Sequence, residues 1–231
     1  MMWLFFLLAG VVCGGLVHNY VVHFARKLSH EVYISYIEIY PENPPHFIPE
    51  KSVLKPLQRQ ASALTYGMLF ALLFLLCYAT NDEPSKGLCL ALYITILSAI
   101  SLVDWHYRLI SPTLCQALLA LGLGAAYWQI GALSLVEQSL QSAVLFGGVF
   151  YAIYHAAKGY YRQEALGRGD YWLTLGLGAF LPAQQLPLFL FLASLFGLTY
   201  ATYAKYRNRT LNAVPFGPFL SFSGLVCLLL N

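Results

Sequence analysis

Apolar runs recur along the whole chain, separated by short polar breaks. MMWLFFLLAGVVCGGLVHNYVV, ALTYGMLFALLFLLCYAT and GLCLALYITILSAISLV each approach the roughly 20 residues that a helix needs to cross a bilayer. The same pattern continues to the end and predicts eight spans, at 2–22, 63–80, 87–105, 112–130, 138–158, 170–182, 185–204 and 214–230. The expected fold class is all-α, a polytopic membrane protein with about eight transmembrane helices. Residues 1–22 would be the first helix, 23–62 a single loop of about 40 residues, and 63–231 the membrane core. Within the loop, VYISYIEIY alternates and predicts a short strand or an amphipathic interfacial segment. Prolines at 41, 44, 45, 49 and 56 argue against a long regular element after it.

Composition agrees with this reading. Hydrophobic residues make up 59% of the chain and charged residues only 10%, against about 25% charged in soluble domains, too few to coat a water-soluble globule. The first run lacks a basic leader and ends in Arg26-Lys27 without a small-residue cleavage pattern, so it reads as a permanent span. The sixth span is the weak one: thirteen residues reach about 20 Å, short of the ~30 Å hydrocarbon core. Charge placement tests it. With eight crossings, twelve of the 13 Lys and Arg residues fall on one side of the membrane and Lys86 alone on the other. Without the sixth crossing, AKYRNR would land on the wrong side. The basic loops are therefore expected in the cytoplasm and both termini outside. Five cysteines lie in or at the ends of apolar runs with no C-x-x-C pair, a spacing that suits neither zinc nor a disulfide framework.

Ten acids are present, and most lie in predicted loops. Asp104 ends the third span and Asp170 begins the sixth. A carboxylate at membrane depth is costly unless paired or hydrated, and it marks function by default. Each has a plain structural explanation: an ion pair from Asp104 to Arg108 one turn on, and a helix-start role for Asp170. Both, however, fall on the same predicted membrane face. Two neighbouring carboxyls that share one proton suit amide hydrolysis, one activating water while the other protonates the carbonyl oxygen and then the leaving nitrogen. The helix dipole favours Asp170, at a helix start, as the base, and Asp104, at a helix end, as the donor. In Gly167-Arg168-Gly169-Asp170 the missing side chains allow a sharp turn and a close approach by another chain.

These residues resemble a known family. VDWHYRLISP is similar to the first aspartate motif of the prepilin peptidases, and EALGRGDYWLTLGLGAFLP looks like their second, with Glu164, Gly167 and Gly169 as supporting positions. AVPFGPFLSFSG, holding Pro215 and Gly217, resembles the segment that opens their last span. The resemblance covers roughly residues 100–231. It implies that Asp104 and Asp170 are the catalytic pair of a membrane aspartic peptidase in a bacterial inner membrane, facing the cytoplasm. The substrates implied are prepilins or pseudopilins of type IV pilus or type II secretion systems, each with a short basic leader ahead of an apolar helix. The implied partners are that substrate and the lipid bilayer, with no nucleic acid.

The N-terminal third departs from the family. Gly15 and Asn19 match its G-x-x-x-N, but the following basic residue arrives only at Arg26, and residues 23–62 hold none of the two cysteine pairs that usually bind a metal. No metal and no cofactor are expected for the peptidase reaction. S-adenosylmethionine would be needed only if the chain also N-methylates its product. Trp172 replaces a frequent Lys. Among the histidines, His106 and His155 lie near the acids, and no H-E-x-x-H or nucleophile-elbow pattern appears. The rival from another class is a proton- or ion-coupled transporter using the same acids, which would more usually sit at mid-membrane in repeated halves.

Overall fold

The structure, a computed structural model, describes residues 1–42, 46, 48, 52, 54–57, 61–131, 133–162, 167–207 and 214–230. Those residues form eight α-helices and a 3₁₀ turn at Ala183–Gln185, with no strand among them. The helices are α1 (Met2–Ile39), α2 (Ala63–Thr80), α3 (Pro84–Tyr107), α4 (Pro112–Tyr127), α5 (Val136–Tyr161), α6 (Arg168–Gly178), α7 (Leu186–Tyr206) and α8 (Gly217–Leu229). All eight predicted spans are therefore helical, and five helices are long and apolar enough to cross a membrane. Proline in the first two positions starts α3, α4, α7 and α8, where its missing N–H leaves no helical bond unmade. Arg108 and Arg162, each at φ 54°, end α3 and α5 in the left-handed conformation.

The chain divides into two compact units, Met1–Leu75 and Leu76–Asn231, where the sequence pattern placed the start of the core at residue 63. In the first unit, Phe6, Gly10, Gly14, Val17 and Val21 form a buried stripe on α1. Gly10 and Gly14 meet the α2 backbone so closely that a Cβ on either would lie 2.6 Å from Ala71 Cα or 2.5 Å from Tyr66 O. The helix itself corrects the expected loop. Instead of ending near residue 22, α1 runs to Ile39 and takes in VYISYIEI, which excludes the strand of the two expected forms, strand or amphipathic interfacial segment. Its 38 residues measure roughly 57 Å at 1.5 Å each, about twice the hydrocarbon thickness. The alternation in that segment did not prevent helix formation because its residues are mostly exposed, so no sheet face rewards period-two pairing. Of the rest of the expected loop, residues 43–45, 47, 49–51, 53 and 58–60 lie outside the described residues.

In the second unit, α6 packs against α4, α5 and α8 and supplies the fully buried Leu173 and Leu177. Small residues make the enclosure possible. A Cβ at Gly178 would lie 2.7 Å from Phe146 Cβ and 2.8 Å from Ser142 O, and one at Gly224 would lie 2.7 Å from Leu177 Cδ2. The 11 residues of α6 span only about 17 Å, so its end cannot reach far and must be satisfied inside the protein. The hydroxyl of buried Ser139 on α5 does this, donating to Ala179 O at 2.7 Å.

Two substitutions separate these contributions. Ser139→Ala removes one buried hydrogen bond and is expected to cost about 1 kcal/mol. Gly178→Leu drives a side chain into Phe146 and is expected to cost about 3 kcal/mol or more. Thermal unfolding in detergent should show the larger fall in Tm for Gly178→Leu.

Candidate active site

Asp104 stands one turn before the end of α3 and is 5% exposed. Its Oδ2 accepts a hydrogen bond from the backbone N–H of Gly217 at 2.8 Å, across 113 residues of sequence. Gly217 is the first residue of α8, so this N–H is one that the helix cannot bond itself. The α3 carboxylate thus caps α8. Position 217 has to be small there: a Cβ would lie 2.8 Å from that same Oδ2.

Asp170 is the third residue of α6 and is 4% exposed. Its Oδ2 accepts from the N–H of Gly167, the N-cap residue, at 2.9 Å. The first-turn role expected of it is therefore real, but it engages only one oxygen. Among the described residues, Oδ1 of Asp104 and Oδ1 of Asp170 receive no hydrogen bond. The two side chains interact electrostatically with each other. Each buried carboxyl is thus tied by one oxygen and has the other without a hydrogen-bond partner among the described residues.

The ion pair expected between Asp104 and Arg108 is not formed. Arg108 acts on the carboxyl only at longer range, and its own backbone N–H closes the helix onto Asp104 O at 2.8 Å. The dipole argument for the base and donor roles also changes, because both carboxyls bond N–H groups at helix N-termini, Asp170 in α6 and Asp104 across to α8. That geometry does not distinguish the two acids.

Of the supporting positions, Gly167, Gly169, Pro215 and Gly217 are described, and Glu164 lies outside the described residues. The glycines serve approach rather than an unusual turn. Gly167 has ordinary extended angles, φ −70° and ψ 145°, and no described glycine has positive φ. At Gly169 a Cβ would lie 2.5 Å from Ile110 Cβ, so this glycine seats the start of α6 against the Ile110-Ser111-Pro112 turn that follows α3. Pro215 is buried just before α8. His106 turns away, with Nδ1 2.8 Å from Leu102 O on its own helix, and His155 stacks on Tyr151 at 4.4 Å. Trp172 is partly exposed beside Tyr171. Sequence reasoning missed Ile110 as the partner of Gly169 and the direct bond from Gly217 to Asp104. A Gly-Pro pair opening an apolar helix was the available signal for the second. Among the described residues, no three His, Cys, Asp or Glu side chains converge as a metal site would require.

The profile of the type IV leader peptidase family matches residues 91–202, a stretch that holds both acids. A prepilin leader peptidase/N-methyltransferase of Haemophilus influenzae is 36% identical over 221 residues, covering 96% of this chain and 94% of that protein. The chain belongs to the type IV leader peptidase family. Further members include a type 4 prepilin-like proteins leader peptide-processing enzyme of Escherichia coli O78:H11, 35% identical over 71% of this chain and 60% of its own length. A prepilin leader peptidase/N-methyltransferase of Escherichia coli K12 is 32% identical over 65% and 66%. The chain thus spans nearly all of the first of these relatives and about three fifths of the second. No solved structure matches it.

In this family member, the contact distances rank the glycines. Gly217→Ala places a methyl group 2.8 Å from Asp104 Oδ2 and, with Asp104 as a candidate reacting group, should lower kcat about 100-fold on a displacement of about 1 Å. Gly167→Ala meets Asp170 Oδ2 at 3.1 Å and should cost less. Steady-state cleavage by the two purified variants, at equal folded protein, tests the order.

Proposed function

We propose that this chain is a membrane aspartic endopeptidase that removes the leader from type IV prepilins or pseudopilins, working at the cytoplasmic face of the bacterial inner membrane with Asp104 and Asp170 as the catalytic pair. The observation that carries this reading is the pair itself: two buried carboxyls on separate helices, within electrostatic range of each other and each held through Oδ2 by a glycine N–H. The relatives are named as leader peptidases. The cytoplasmic setting is supported by the sequence pattern, in which twelve of the 13 Lys and Arg residues fall on one predicted side of the membrane.

Hydrolysis follows from one shared proton. The ionised carboxylate takes a proton from water as its oxygen bonds to the peptide carbonyl carbon, and the protonated partner gives its proton to the carbonyl oxygen. The resulting tetrahedral species collapses when the first carboxyl delivers its proton to the leaving nitrogen, the C–N bond breaks, and the second carboxyl recovers a proton from a hydroxyl. The glycine N–H bonds hold each carboxyl in place, so little reorganisation is needed during the reaction. The protein walls around both acids exclude bulk water, which strengthens these interactions.

This peptidase chemistry uses no cofactor. The names of the relatives pair the peptidase with an N-methyltransferase, a second activity that would need S-adenosylmethionine as methyl donor. The transporter reading is not supported, since the relatives are peptidases.

Co-expression with a candidate prepilin, followed by mass spectrometry of the product N-terminus, tests the assignment. The wild-type chain should yield leaderless product, and the mass of its N-terminus reads any added methyl group in the same spectrum. Asp104→Asn and Asp170→Asn should each leave full-length prepilin, with at least a 1000-fold loss of cleavage at normal enzyme level. Normal processing by either variant would refute the pair.

A further inference from the structure

An aromatic groove of about 470 Å³ runs between α7 and α8, lined chiefly by Phe196, Tyr200, Tyr203, Pro218, Phe219 and Phe222. Its rings pack in two groups: Phe196 on Phe222 at 5.0 Å, and Tyr200 on Phe219 at 5.5 Å, with Trp105 beyond the lining against Tyr200 at 5.2 Å. Trp105 directly follows Asp104. Pro218 and Phe219 directly follow Gly217, whose N–H holds the Asp104 carboxyl. Two of the lining residues therefore adjoin in sequence the glycine that holds this acid.

One end of the groove points into the bilayer. Arg207 stacks over Tyr203 at 5.7 Å, and Lys205 lies in the last turn of α7, so these cations mark the polar boundary. From Tyr203 the lining steps through Tyr200 to Phe196, two turns away from that boundary, and carries no charge. Phe222, 52% exposed, and Tyr203, 55% exposed, are open to an occupant.

We propose that this groove receives the apolar segment of the peptide substrate on the lipid side of the scissile bond. The inference rests on the peptidase reading above. A peptide held at Asp104 would have the Trp105–Tyr200 pair and then the uncharged aromatic lining beside the residues that follow its scissile bond. Large rigid rings bury much apolar area at small entropic cost and pack by edge and offset contacts, so they hold an apolar helix without demanding one sequence. The groove would set how deep the substrate sits and hence which bond meets the acids.

Photo-crosslinking tests this in the full chain in membranes, in the Asp170→Asn background so that substrate remains uncut. Phe196 and Phe222 are each replaced by p-benzoylphenylalanine, with Leu145, an exposed residue of α5, replaced in the same way as control. The probe is a type IV prepilin carrying its leader and apolar segment. Adducts with the prepilin from positions 196 and 222 should exceed those from 145 at least tenfold per folded enzyme. Adducts to phospholipid alone, or equal prepilin adducts at all three positions, would overturn the groove assignment. Cleavage by the unmodified chain is scored separately. Cutting without the adducts removes the groove and leaves the peptidase reading, whereas failure to cut removes both.

Discussion

The site depends on one constraint: a carboxylate taken out of water at the edge of a membrane must be given hydrogen-bond donors. Almost every backbone N–H in a helical membrane protein is already engaged within its helix. The exceptions are the first few of each helix, and both acids are placed against these. Asp170 bonds the N–H of Gly167 at the start of its own helix, and Asp104 bonds that of Gly217 at the start of α8. The positive end of a helix dipole adds to each contact. Among the described residues, no cationic side chain is ion-paired to either acid, so the N–H donors carry this stabilisation.

That arrangement governs the surrounding packing. For a donor N–H to come within 2.8 or 2.9 Å of a carboxylate, the residue that carries it must be small, and the two helices must meet closely. Gly167 and Gly217 meet the first need, and Gly169 against Ile110 meets the second. The same economy of side chains continues along α6, where Gly178 and Gly224 let a short helix lie enclosed by its neighbours. Because α6 is so short, its last carbonyl is satisfied by Ser139 rather than by water. Stability and chemistry are coupled here, since loosening of α6 moves Asp170.

Much of this was legible in the sequence, for reasons that differ between parts. The apolar runs located all eight helices because burial in lipid leaves few alternatives to a helix. The two acids stood out because so few acids occur near membrane depth. The reach of α1 to Ile39 was not legible: the segment after Arg26 is polar and alternating, and nothing in its composition marks where a helix stops. The bond between Asp104 and Gly217 joins residues 113 positions apart, so it follows from tertiary packing and not from local pattern. The glycines of G-x-G-D were visible, but their purpose was only half readable. Close approach is what they supply, and no special backbone angle is involved.

The most direct test of the account is the proximity of the two acids in the native membrane. With the five native cysteines replaced, the double substitution Asp104→Cys and Asp170→Cys would be treated with a short bifunctional thiol reagent, and accessibility probed with membrane-impermeant maleimides from each side. The account predicts an intramolecular cross-link and modification of both thiols from the cytoplasmic side alone. No cross-link, or thiols labelled from opposite sides of the membrane, would contradict it.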